Sequence, residues 1–115
     1  MLLNLLKSKI HRATVTSADL NYQGSISIDP ALCARARISQ WEAVDIYNVT
    51  NGERFSTYVI LGKPGEITLN GAAARKVQVG DKVIIATFAM FEAEEAATHE
   101  PTVVLVDDQN RPIES

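Results

Sequence analysis

One cysteine is all the chain holds, so Cys33 has no partner within it and no internal disulfide forms. That fits a reducing compartment, the cytoplasm. No two cysteines or histidines stand at ligand spacing, which argues against a metal site. A basic run is missing too: 11 Lys+Arg against 14 Asp+Glu leave a net charge of −3, without the electrostatic footprint that nucleic acid selects. No apolar stretch has membrane length. The greasy start Met1–Leu6 is broken by Asn4, no basic segment precedes it and no small-residue cleavage site follows. It is expected to be a strand rather than a signal peptide or a membrane span. Repeats, linkers and low-complexity segments are absent, and 115 residues suffice for one core, so residues 1–115 are expected to form a single domain.

What is present is an ordinary globular composition, 46% hydrophobic and 22% charged, written in short alternating runs. Lys9–Thr16 reads as a strand with Ile10, Arg12, Thr14 and Thr16 on one face and Lys9, His11, Ala13 and Val15 on the other. Ser17–Asp19 reads as a turn and Tyr22–Ile28 as the next strand. Asp29 followed by Pro30 has the form of a helix cap with proline at the first helical position, opening a helix over Ala31–Ile38. Glu42–Val49 and Glu53–Leu61 form a strand pair around Asn51-Gly52, a two-residue hairpin signal. A short strand Ile67–Leu69 ends at Asn70-Gly71, and Ala72–Arg75 allows a turn of helix. Lys82–Phe88 is the most apolar strand, expected to be buried on both faces. Glu92–Ala97 gives a last helix, with Glu92, Glu94 and Glu95 at its solvated start. Thr102–Val106 gives a last strand, Asp107–Asn110 a turn and Arg111–Ser115 a loose tail. Many short strands and little helix indicate a mainly β, compact barrel. Cys33 falls in the first helix as packing.

Within this pattern the bond between Gly24 and Ser25 carries chemistry. A serine hydroxyl can attack the carbonyl that precedes its own nitrogen through a five-membered ring, converting amide to ester. The shift proceeds only when the peptide is strained and the tetrahedral oxyanion is stabilised. A glycine before the serine tolerates unusual φ/ψ and leaves the carbonyl open. Elimination of the ester followed by hydrolysis leaves a pyruvoyl group, a ketone able to form a Schiff base with an amine. The dipeptide alone is a weak signal, since a turn or bulge entering the strand Ile26–Ile28 explains it equally well.

Its company is more specific. The runs Lys9–Thr16 and Ala18–Ser25, then Tyr47–Tyr58, Leu69–Ala74 and Val79–Ile85, closely resemble bacterial aspartate 1-decarboxylase in order and spacing, over nearly all of the chain up to about Glu95. Two departures are mild: Gln23 stands where glutamate is common, and Tyr47 where many members have tryptophan. The resemblance implies a small double-psi β-barrel and a self-processing precursor cut between Gly24 and Ser25 into chains 1–24 and 25–115. It also implies a homotetramer whose covalent pyruvoyl cofactor, derived from Ser25, converts L-aspartate to β-alanine and CO₂ for pantothenate biosynthesis.

The resemblance also assigns roles. Ser25 becomes the electron sink. Thr57 hydrogen-bonds the Gly24 carbonyl during the acyl shift and contacts substrate. Tyr58 protonates the carbanion carbon after CO₂ leaves. Arg54 and Lys9 bind carboxylates, and the planar guanidinium of Arg54 suits the retained side-chain carboxylate. Asn70, Gly71, Ala72 and Ala73 form a turn whose N–H groups face substrate, with small side chains allowing close approach. His11 and Tyr22 complete the expected site as supporting or substrate-contact residues. Thr57 and Tyr58 are adjacent and point to opposite faces of a strand, so both reach one site only at a bulge or a subunit boundary. Two other classes remain open at this level: a small-barrel binding module, and a self-cleaving hydrolase that uses Ser25 with its amine intact.

Overall fold

A computed structural model describes residues 1–113. The alternating runs become nine strands: β1 (Leu2–Thr14), β2 (Ser17–Asp19), β3 (Ser25–Ile28), β4 (Ala43–Asn48), β5 (Arg54–Leu61), β6 (Ile67–Asn70), β7 (Lys82–Glu92), β8 (Thr102–Val106) and β9 (Pro112–Ile113). Two short helices, α1 (Pro30–Ala36) and α2 (Ala93–Ala96), and a 3-10 turn over Gly71–Lys76 complete the described chain. The sheet order is β2-β6-β3-β5-β4-β7-β1-β8-β9. β1 and β2 occupy distant places in that order, yet only Val15 and Thr16 separate them. Val15 N–H donates to the Asp81 carbonyl at 2.9 Å and Thr16 N–H to the Ile67 carbonyl at 2.8 Å. One continuous run of chain therefore pairs with β7 and then, in parallel, with β6. That crossing closes the ribbon into a barrel, and the expectation of a mainly β barrel holds.

The barrel is filled by Ile10, Ile26, Ile46, Val59, Leu69 and Ile85, all fully buried. Each such side chain contributes roughly 1.5–3 kcal/mol of transfer free energy. α1 begins as the sequence requires. Asp29 Oδ1 accepts the Ala31 N–H at 2.8 Å, Pro30 takes the first helical position, and Oδ2 accepts the Gly65 N–H at 2.8 Å. The helix stops two residues short of its expected end because Arg37 turns left-handed, φ 60°. Cys33 is buried on its inner side, as expected. Burial pushes its thiol up to about 11, with the charges of Asp29 and Glu42 adding to the effect, so it is inert at neutral pH.

Six expectations are corrected. The faces of β1 do not alternate throughout: Arg12 sits at φ 65°, the register with β7 shifts between Ile10 and Ala13, and Ile10, Ala13 and Val15 all turn inward. Ser17–Asp19 is a strand, not a turn, because it finds a parallel partner in Thr68–Asn70. β3 begins only at Ser25, leaving Asn21–Gly24 as loop. Residues 49–53 connect β4 to β5 as a wider loop in which Gly52 has φ 81° and its N–H reaches the Asn48 carbonyl at 2.8 Å, while Asn48 Oδ1 accepts from Thr50 N–H. β7 runs on to Glu92 and is not buried on both faces, with Val83 and Ile85 fully inward but Phe88 and Met90 exposed. At the C-terminus Pro112–Ile113 pairs with β8, so Arg111–Ile113 is no loose tail; residues 114 and 115 lie outside the described part. The last helix forms at Ala93–Ala96, where Glu92 and Glu95 make a reciprocal capping box.

Candidate active site

Ser25 opens β3 and is buried, at 1% exposure. Its hydroxyl has two partners: it donates to the Gln23 carbonyl at 3.0 Å and accepts from Asn70 Nδ2 at 3.0 Å. The same Asn70 amide reaches Ser27 Oγ at 3.1 Å. Asn70 lies opposite Ser25 in the antiparallel β3–β6 register, which is why the contact exists. The sequence suggests only a backbone role for Asn70. Its side chain, buried and aimed at the Ser25 hydroxyl, is the more informative part, and an Asn-Gly pair reads as a turn before pairing is known.

Gly71 follows with φ 63°, and a Cβ there would lie 2.7 Å from both the nitrogen and Cα of Gly24 and 3.0 Å from the Tyr22 carbonyl oxygen. The turn after β6 is thus pressed against the peptide that precedes Ser25, and only a residue without a side chain fits. Gly24 itself has open space where a Cβ would stand and no left-handed φ. The conformational argument for glycine at position 24 is therefore not met in the continuous chain; that freedom is used at Gly71. Gly24 lines a cavity of about 400 Å³ together with Phe55, Ser56, Thr57, Tyr58, Ala72, Ala73 and Lys76. That volume suits a small metabolite.

Thr57 and Tyr58 both reach this cavity without a bulge. The β4–β5 register is continuous from Ala43 opposite Tyr58 to Tyr47 opposite Arg54. β3 pairs with β5 only from Ile26 opposite Val59 onward, so on the side away from β4 no strand lies alongside β5 at residues 55–58. On this unpaired flank, side chains from the two faces converge on one hollow. Thr57 shares the cavity with Gly24 but makes no hydrogen bond to its carbonyl, so the implied bond is not formed in the continuous chain. Phe55, Ser56 and Lys76 are lining residues that the sequence does not single out; Lys76 is paired with Glu53 at 3.1 Å.

Arg54 stands at the outer end of β5, in an adjoining cavity of about 200 Å³ with Asp45, Tyr47, Phe55 and Ser56. Phe55 and Ser56 line both hollows. The guanidinium lies 4.1 Å above the Tyr47 ring, a contact of about 0.5–1 kcal/mol at an exposed site that fixes the group without neutralising it. Asp45 is occupied by Ser56 Oγ at 2.6 Å. Among the described residues neither Arg54 nor Lys9 forms an ion pair.

The remaining expected residues are not gathered here. Lys9 sits in mid-β1, opposite Ala86 and Val103. His11 borders another cavity with Arg12, Lys82 and Asp108. Its Nδ1 is buried without a partner, and burial, with Lys9 and Arg12 adding, lowers its pKa so that the imidazole stays neutral. Tyr22 is exposed and borders a fourth hollow with Ser27, Lys63, Glu66 and Asn70. One chain therefore assembles Gly24, Thr57, Tyr58, Ala72 and Ala73, with Ser25, Asn70 and Gly71 behind them and Arg54 beside them. Among the described residues no cluster of metal-ligating side chains occurs, and no helix is long and apolar enough to cross a membrane.

A family model described as aspartate decarboxylase matches residues 1–113. The aspartate 1-decarboxylase of Bdellovibrio bacteriovorus is 60% identical over 111 residues, covering 96% of this chain and 90% of that protein. That of Syntrophus aciditrophicus is 61% identical over 109 residues, covering 93% and 94%. That of Campylobacter hominis is 54% identical over 114 residues, covering 99% and 100%.

Proposed function

Because this chain belongs to the aspartate decarboxylase family, an enzyme family that acts on aspartate, we propose that it cuts itself between Gly24 and Ser25. It then carries out pyruvoyl-dependent decarboxylation of L-aspartate to β-alanine and CO₂ in the cytoplasm, supplying pantothenate biosynthesis. The observation that carries this reading is the Ser25 hydroxyl, buried and held by Asn70 directly behind a cavity that contains Gly24 and Tyr58.

The self-cleavage uses the chain's own groups. Ser25 Oγ adds to the Gly24 carbonyl carbon and the C–N bond breaks, leaving Gly24 esterified to Ser25 and the Ser25 amine free. Asn70 fixes the rotamer of the attacking hydroxyl, and in the later elimination its N–H stabilises the charge that develops on that oxygen as it departs with the Gly24 carboxylate. Gly71 holds the Gly24 peptide in place from behind. Loss of the Gly24 carboxylate by elimination, followed by hydrolysis that releases ammonia, leaves the ketone. Residues present fit that group: Ser25 is shielded from bulk water by its burial, and the neighbouring cavity has room for an amino acid. The ketone supplies the electron sink that a free amino acid lacks.

The chain's own side chains then bind and protonate. Arg54, charged and without a carboxylate partner, grips the retained carboxylate of aspartate with two N–H groups. The phenol of Tyr58 delivers the proton to the carbon that loses CO₂. Ala72 and Ala73 keep the opposite wall low, so backbone N–H groups approach the substrate. Lys9 and His11, remote from this cavity in one chain, are reached from a neighbouring copy in the proposed homotetramer.

Intact mass spectrometry tests the proposal. The aged protein yields two pieces, residues 1–24 and a larger piece lighter by ammonia and blocked to N-terminal sequencing, while Ser25→Ala stays whole and inactive. A larger piece bearing a free N-terminal serine, or a wild-type chain that stays whole, would refute it.

A further inference from the structure

The only tryptophan of the chain, Trp41, is 66% exposed and sits at φ 74°. Both features are unusual. A large side chain in the left-handed region costs of order 1–3 kcal/mol, and an indole gains little by facing water. The backbone shows how the conformation is enforced. Trp41 N–H donates to the Val59 carbonyl at 2.7 Å and Val59 N–H donates to the Glu42 carbonyl at 3.0 Å. Two residues, Trp41 and Glu42, thus face the single residue Val59, a bulge at the entrance to β4. The next residue pins it: the Glu42 carboxylate accepts from Lys7 Nζ at 2.8 Å, from Ser39 N–H at 2.9 Å and from the Thr87 hydroxyl. Gln40, on the other side, accepts from Leu61 N–H at 2.9 Å. The bulge is clamped from both flanks, and its effect is to aim the indole along β5.

What the indole meets is Tyr58. The ring centroids are 5.9 Å apart with planes inclined at 35°, within the range of favourable aromatic pairing. Trp41 does not line the cavity that holds Gly24, whereas its ring partner Tyr58 does. Tyr58 lies where β5 has no neighbour on the β3 side, so the sheet does not fix its ring on that flank.

We propose that Trp41 is a positioning residue for Tyr58: the bulge at the start of β4 presents the indole as a side wall that holds the phenol at the angle from which it protonates the reacting carbon. The inference rests on the role given above to Tyr58. It goes beyond that role in assigning a function to an exposed, strained side chain that the substrate does not touch. Proton transfer depends steeply on donor placement, so losing the wall lowers turnover rather than substrate affinity.

The test combines kinetics with the emission of the sole tryptophan. In the self-cleaved enzyme, Trp41→Ala is expected to cut normally and to lower kcat for L-aspartate about ten-fold while KM changes less than about two-fold. Trp41→Phe restores most of kcat. In a Tyr58→Phe background the Trp41→Ala effect vanishes, because there is no phenol left to aim. Separately, in the uncut Ser25→Ala chain, Tyr58→Ala shifts the Trp41 emission. Unchanged kcat in Trp41→Ala, or an equal loss with and without the Tyr58 hydroxyl, overturns the inference and leaves the proposed function standing. Absence of cleavage and turnover in the wild-type chain overturns both, and unchanged emission in Tyr58→Ala overturns the ring contact itself.

Discussion

At the scale of single residues, the turn after β6 is as decisive as the serine it faces. Gly71 combines a left-handed φ of 63° with backbone atoms 2.7 Å from where a Cβ would stand. Gly24 has neither constraint. Gly71→Ala is therefore expected to displace the Tyr22–Gly24 segment and slow self-cleavage at least ten-fold, at a stability cost of roughly 1–3 kcal/mol. Gly24→Ala folds normally. Cleavage half-times from intact mass, beside urea melts of both variants, check the contrast; equal cleavage in Gly71→Ala and wild type would show that the packing is incidental. Ser25, Gly24, Thr57 and Tyr58 were legible because a long run of matching residues surrounds them. The Asn70 side chain and Trp41 were not. Both act through pairing across sequence distance, Asn70 with Ser25 and Trp41 with Tyr58, and neither residue type announces such a partner.

At the scale of elements, caps and apolar alternation read cleanly. Asp29 and Pro30 specified the start of α1, and Asp29 also ties down Gly65. Asp29→Ala removes an N-cap worth about 1 kcal/mol and leaves the Gly65 N–H without its acceptor, a further cost of about 1 kcal/mol. A Tm lower by roughly 10 °C follows for a domain of this size, measurable by calorimetry; a loss under about 3 °C would mean that water replaces both bonds. Less legible were β2 and β9. Ser17–Asp19 and Pro112–Ile113 are strands only because an edge was available to pair with, and backbone bonds leave little trace in side-chain pattern. The Arg12 bulge misled for a related reason: one inserted residue exchanges the faces of everything after it.

At the scale of the whole molecule, the half-buried pair Lys7–Glu42 links β1 to the lead-in of β4, and Thr87 of β7 joins it. Burial alone would raise the Glu42 pKa, but the hydrogen bonds from Lys7, Thr87 and the Ser39 N–H outweigh it and hold the carboxyl below the usual range. With the folded value depressed, the stabilisation is complete above the unfolded value of about 4.3 and disappears as pH falls through the folded value. Glu42→Gln should cost about 2 kcal/mol at pH 7, with the gap to wild type closing on acidification below about pH 4. Denaturant melts across that range check it, and a gap constant with pH would show that the charge contributes nothing.

The crossing of β1 into β2 has a last consequence for a molecule severed after Gly24. The shorter piece would supply a run lying beside β7 and β8, and then a second beside β6. Neither fragment owns a complete wall. The two halves would be braided while native, with nothing covalent to record their partnership. Once melted apart, they would have to meet again as strangers in a second-order encounter, so a scission after Gly24 would also remove the molecule's easy way home.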